Sequence, residues 1–125
     1  MVGRAELVAF LPSLDLDASD RFYSGVLGLP RVESTAFANA YDANGTPLRV
    51  THVGELPPVS HTVLGWRVAN VAAEILELRG AGVEFKFYDS MAQDEDGVWV
   101  SPTGARIAWF SDPDGNTLSL QQPSG

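Results

Sequence analysis

Leu14-Asp15-Leu16-Asp17-Ala18 and Ala69-Asn70-Val71-Ala72-Ala73 are two versions of one helix opening, Asn70 standing 55 positions after Asp15. Each follows an extended apolar stretch, residues 7–11 in the first case and 62–68 in the second. Asp15 and Asn70 read as N-caps, because a short side-chain oxygen can accept the free backbone N–H groups of a first helical turn. Behind the first cap, Phe22/Val26 and Tyr23/Leu27 are spaced four apart and form an apolar stripe that ends at Gly28 and Pro30. Behind the second, Val71, Ile75 and Leu78 form the stripe, and Gly80 and Gly82 end it. Both helices are therefore predicted to pack on one side only.

A second correspondence completes the repeat. Asp42-Ala43-Asn44-Gly45 matches Asp112-Pro113-Asp114-Gly115 at an offset of 70. Asn44-Gly45 and Asp114-Gly115 read as hairpin turn pairs, since both residue types tolerate positive φ. Extended runs flank them, at 36–41 and 48–53 in one copy and at 105–110 and 117–121 in the other. Strand, helix, strand, strand, turn, strand thus occurs twice, which gives an α+β chain of two tandem βαβββ modules at about 5–54 and 61–122. At 125 residues the chain reads as one domain. The growth of the offset from 55 to 70 puts about fifteen extra residues at 88–103 of the second module. That insertion is acidic at Asp94, Glu95 and Asp96 yet carries Tyr88, Met91 and Trp99. A solvated loop rarely leaves aromatics unpacked, so it is expected to fold back, as a lid over a pocket or as cover for a sheet edge.

Composition narrows the partners. A net charge of −8 lacks the basic stripe that nucleic acid requires. The acidic balance serves solubility and leaves a cationic ligand open. No apolar run approaches the roughly 18 residues of a membrane span, and residues 1–6 lack the apolar core of a signal peptide, so a cytoplasmic protein without membrane contact is expected. With no cysteine, disulfides and thiolate metal sites are excluded.

The stretch from Asp15 to Leu29 (DLDASDRFYSGVLGL) resembles the first-helix signature of the vicinal-oxygen-chelate superfamily, the glyoxalase, bleomycin-resistance and dioxygenase-like proteins. Residues 105–116 (ARIAWFSDPDGN) resemble their closing hairpin, and the match in order and spacing runs from about residue 5 to 122. The resemblance implies two cup-shaped, four-stranded mixed sheets with helices outside, a ligand cleft within, and a homodimer. Enzymes of this family hold a divalent metal with His and Glu residues of the strands. The His of each module stands seven residues before the capping residue, and the carboxylate four residues after the turn glycine. Here those positions read Val8, Arg49, Val63 and Ser119, which offer no ligand set, so neither a metal nor another cofactor is expected. His52 and His61 are the only histidines; His61 shares a strand face with Val63, and a strand-end histidine is more often solvated than ligating.

Period-two alternation gives the expected faces. Leu48, Val50, Leu118 and Leu120 should face the helices, which turns Arg49, Thr51, Ser119 and Gln121 to the cleft. Phe10 joins them from the first strand, and Val63, Gly65 and Arg67 from its counterpart. The 70-residue offset equates Phe37, Asn39 and Tyr41 with Ile107, Trp109 and Ser111, and both sets are placed inward. Trp99 is added from the insertion. An apolar, aromatic cup with a few polar groups is the usual composition of a small-molecule site. Arg49 and Arg67 each need a carboxylate, such as Glu6 or Glu84, or an anionic ligand. The reading is a small-molecule-binding protein that sequesters an aromatic or cationic compound. Catalysis stays open, as a lyase, isomerase or dioxygenase with an altered metal site or metal-free acid–base chemistry, and so does a regulatory module with a filled cup.

Overall fold

A computed structural model describes residues 1–57 and 59–125, in two compact units, Met1–Pro58 and Val59–Gly125. The first unit holds strand β1 (Ala9–Ser13), helix α1 (Leu16–Asp20), and strands β2 (Arg31–Ser34), β3 (Ala38–Ala43) and β4 (Thr46–His52). The second holds β5 (Thr62–Arg67), helix α2 (Val71–Gly80), and β6 (Trp99–Val100), β7 (Arg106–Ser111) and β8 (Thr117–Gln122). Each unit forms one mixed sheet, ordered β1-β4-β3-β2 and β5-β8-β7-β6, in which only the pairs β1/β4 and β5/β8 are parallel. These are the two repeated βαβββ modules. No helix among the described residues is long and apolar enough to cross a membrane.

The caps form as expected. Asp15 Oδ1 accepts from the N–H groups of Asp17 and Ala18 at 3.0 and 3.2 Å, and Asn70 Oδ1 accepts from Ala73 N–H at 3.1 Å. The first helix then widens into a π-helical turn over Arg21–Val26, where Leu27 N–H donates to Phe22 O at 2.9 Å. That turn places two consecutive rings, Phe22 and Tyr23, in the core in edge-to-face contact, and Gly28 (φ 75°) then reverses the chain. In the second unit Val71, Ile75 and Leu78 are the buried stripe of α2. Leu11, Leu48 and Val50 complete the first core, and Ala108, Phe110, Leu118 and Leu120 the second.

The two hairpins differ, and the difference decides which way a strand faces. Ala43 pairs with Thr46 across a two-residue turn of Asn44 (φ 52°) and Gly45 (φ 95°), as predicted. Ser111 pairs with Thr117 across a five-residue loop, not a two-residue Asp114-Gly115 turn. Asp112 Oδ1 organises that loop by accepting from Asp114 and Asn116 N–H, both at 2.9 Å. Leu48 and Leu118 are 70 apart, but their cross-strand partners Tyr41 and Phe110 are 69 apart. A one-residue slip moves every side chain to the other face. The repeat offset therefore fails for β3 alone.

Candidate ligand-binding face

Each sheet has one face against its helix and one open face. In the second unit the open face is organised in rows of directly opposed residues. Gly65, Ser119 and Trp109 make one row; Arg67, Gln121, Ile107 and Trp99 make the next. Leu118 and Leu120 lie on the helix side, as their alternation predicted. The indole of Trp109 donates from Nε1 to Thr62 Oγ1 at 3.1 Å, so it lies across β8 toward β5. Gly65, in the same row, lets Ser119 lie close, because a Cβ there would come within 2.5 Å of Ser119 Oγ.

Two further rings meet Trp109. Tyr88 stands edge-on at 5.6 Å and 89°, and Trp99 is tilted at 6.2 Å and 38°. Both come from the insertion, which folds back as expected from its aromatics. Its fold depends on one amide: Gln93 Nε2 donates to Lys86 O at 2.9 Å and to Gly97 O at 2.8 Å, while its Oε1 accepts from Tyr88 N–H at 2.7 Å. Asp94 Oδ1 tightens the tip by accepting from Asp96 and Val98 N–H, and Arg79 of α2 holds Asp96 at 2.7 Å. The insertion also splits the outer strand, whose pairing with β7 survives as the Phe85–Phe110 bridge and the two residues of β6. Burial raises the Tyr88 phenol above its ordinary pKa, so the ring stays a neutral donor and acceptor.

Lys86, the only lysine, reaches the same face, donating from Nζ to Thr117 Oγ1 at 3.1 Å. Thr117 opposes Ser111 in the row on the far side of Trp109 from Arg67. The three ion pairs among the described residues involve Arg31, Arg49 and Arg79, so neither Lys86 nor Arg67 faces a carboxylate. Neither Glu6 nor Glu84 pairs with an arginine. The open-face strand positions of this unit hold no acidic residue, so the acidic surplus does not favour a cation there.

In the first unit, Phe10 opposes Arg49, which opposes Ala40. Phe10 is 64% exposed, and Arg49 lies 3.9 Å from Glu33. Asn39 and Tyr41 do not join them, contrary to the inward placement. Both are buried on the helix side: Asn39 Nδ2 donates to Leu16 O at 3.2 Å and Tyr41 Oη donates to Asp20 Oδ1 at 2.8 Å. The repeat offset is 69 for β3 and not 70, so the facing expected from Trp109 and Ser111 is inverted there, and Tyr41 lies opposite the core residue Leu48. Phe37 lies in a bend before β3, 78% exposed, and not within a strand row. Val63 sits at a bulge between Thr62 and Leu64. Trp109, Trp99, Ser119, Gln121 and Arg67 are thus brought together in one unit, and Phe10 and Arg49 in the other.

The positions where the family places metal ligands carry two aliphatic side chains, a guanidinium and a hydroxyl, Val8, Val63, Arg49 and Ser119, and that donor set does not fit a divalent ion. His52 and His61 are exposed, His61 ahead of β5. Among the described residues no three His, Cys, Asp or Glu side chains converge. Lys86, Thr62 and Gln93 carry no mark in the sequence, and Tyr88 stands out only as an aromatic in a polar insertion. Nothing local marks the first three, because their partners lie across the sheet or the loop.

A family model, the Glyoxalase/Bleomycin resistance protein/Dioxygenase superfamily, matches residues 7–120. Among solved structures, an antibiotic-binding protein from Streptomyces sp. CB03234 is 24% identical, with 99% of each chain covered and a TM-score of 0.71. A bleomycin resistance determinant encoded on transposon Tn5 is 22% identical, covering 95% of this chain and 98% of its own, with a TM-score of 0.74. A fosfomycin resistance protein from Listeria monocytogenes is 14% identical, covering 96% and 93%, with a TM-score of 0.75. At these identities the likeness shows the fold alone. No curated protein matches the sequence.

Proposed function

Since the chain belongs to the glyoxalase/bleomycin resistance protein/dioxygenase superfamily, we propose that it binds a small planar aromatic molecule on its open sheet surface, without a metal and without altering it. The observation that carries this reading is the cluster of Trp109, Trp99 and Tyr88, three half-buried rings converging on one sheet face. Aromatic faces of this kind supply large contact area and offset or edge-on stacking worth about 0.5–1.5 kcal/mol per ring pair beyond burial. Thr62, Ser119 and Gln121 add sparse polar groups around them, the usual means of fixing a ligand's orientation. The antibiotic-binding and bleomycin-resistance neighbours are consistent with this use of the fold. The two units are read as one domain, and the protein as a cytoplasmic homodimer in which the open outer strands of a second copy cover those of the first.

Titration of tryptophan emission with 9-anthracenemethanol, followed by chromatographic recovery of the compound, tests the proposal. Saturable quenching that is lost in Trp109→Ala, with the compound recovered intact, is expected. Absence of quenching sinks the binding reading. Recovery of a converted product by protein carrying stoichiometric metal replaces it with catalysis.

A further inference from the structure

The surroundings of Trp109 carry more information than its rings. Lys86 and Arg67 stand on opposite sides of its row, one at Thr117 and one opposite Gln121. Successive rows on one face are about 6.6 Å apart along a strand, so each cation lies within a side chain's reach of a molecule stacked over the indole. A cation on a largely apolar face is favourable only with water or a counter-ion, and neither of these two has a carboxylate partner among the described residues. Arg31, Arg49 and Arg79 are each paired, whereas Arg4, Arg21 and Arg106, like these two, take part in none of the ion pairs among the described residues. What sets Lys86 and Arg67 apart is their place, on a sheet face whose strand positions hold no acidic residue. An acidic protein that keeps carboxylates off one face, and places two cations there beside two tilted indoles, is built to attract the opposite charge.

From this we infer that the ligand is a planar aromatic anion, a fused-ring carboxylate or phenolate, with its rings on Trp109 and its charge between Lys86 and Arg67. The inference rests on the binding reading above and sharpens it. Aromatic area supplies the affinity that all planar compounds share. The two cations discriminate among them, because an ammonium-bearing analogue would meet like charge. Thr117 Oγ1 holds Lys86 Nζ in place, so that cation needs little reordering when an anion arrives.

Three probes with one ring system separate the outcomes: 9-anthracenecarboxylate, 9-anthracenemethanol and 9-(aminomethyl)anthracene. Binding to the full chain is read from tryptophan quenching and anthracene anisotropy at 20 mM and 500 mM salt. The carboxylate should bind at least tenfold more tightly than the amine at low salt, with the alcohol between them, and the gap should narrow at high salt. Lys86→Gln and Arg67→Gln should each cut the carboxylate's advantage over the alcohol several-fold, and Arg21→Gln, on the first helix, should leave it intact. Equal or tighter binding of the amine overturns the inference while the aromatic-binding reading stands. So does an unchanged carboxylate preference in the Lys86→Gln, Arg67→Gln double variant. Failure of all three probes to bind overturns both.

Discussion

Replacing Tyr41 with Phe tests whether β3 faces the helix as described. Tyr41 is fully buried, its ring 6.0 Å from that of Tyr23, and its hydroxyl donates to Asp20 Oδ1 at 2.8 Å. Phenylalanine keeps the ring and removes the hydroxyl, whose main partner is Asp20, with Asn39 as a second. A hydrogen bond to a charged group contributes about 1.5–3 kcal/mol. Asp20 keeps its second partner, Arg31 Nη1 at 3.0 Å, and is partly open to water, so the carboxylate is not stranded and the lower end applies, about 1.5–2 kcal/mol. For a chain of this size that is a fall in Tm of about 6–8 °C. The loss has a pH signature. Burial first, and then the bond to Asp20, raise the Tyr41 phenol well above its ordinary value near 10. The unfolded tyrosine therefore releases its proton from about pH 10 upward while the folded one holds it. Stability from Tyr41 is complete below about pH 10 and declines above it, by up to about 1.4 kcal/mol per pH unit. Urea melts of both proteins at pH 8 and pH 11 should show a gap near 2 kcal/mol at pH 8 that shrinks by roughly 1 kcal/mol at pH 11. Tyr88, also raised, is unchanged between the variants and cancels from the difference. A gap that is absent at pH 8, or constant to pH 11, would refute the placement of the hydroxyl on Asp20.

Gln93→Ala removes three hydrogen bonds that shape the insertion, so hydrogen exchange at residues 88–98 should quicken at least tenfold with little change in the β4 amides; uniform exchange across both would contradict the clamp. Asp15→Ala deletes two capping bonds and should cost about 1 kcal/mol in a thermal melt, whereas Asp15→Asn should cost only a few tenths. Gly65→Leu places a branched side chain against Ser119 in the row that carries Trp109; anthracene binding should weaken more than tenfold while the far-ultraviolet dichroism keeps its native shape, and unweakened binding would move the ligand off this face. Dialysis against EDTA should leave Tm unchanged, since the positions Val8, Arg49, Val63 and Ser119 supply no ligand set, and a drop of several degrees would reveal a bound ion.

Local chemistry made the architecture readable. Capping oxygens at Asp15 and Asn70, the apolar stripe of α2 and the Asn44-Gly45 turn act within a few residues and formed where the pattern placed them, whereas the first stripe became a π-helical turn that buries Phe22 and Tyr23. Alternation placed Arg49, Ser119 and Gln121 on the face opposite the core residues Leu48, Leu118 and Leu120, as the strand pairing has them. It failed at Asn39 and Tyr41, where the facing was carried over from the other module instead of read from the strand.

The chain's own pattern determined that there are two modules and where each helix starts, since both depend on residue identity at short spacing. Only the tertiary structure decided that the second hairpin loop holds five residues against two, so that β3 and β7 are 69 and not 70 positions apart, that Tyr41 therefore faces the core, and that Lys86 reaches Thr117 on the face that carries Trp109. Those outcomes depend on hydrogen bonds between groups distant in sequence, such as Asp20 with Tyr41 and Thr117 with Lys86. Strand register links such groups, and a single-residue slip, invisible to periodicity, changes every one of them.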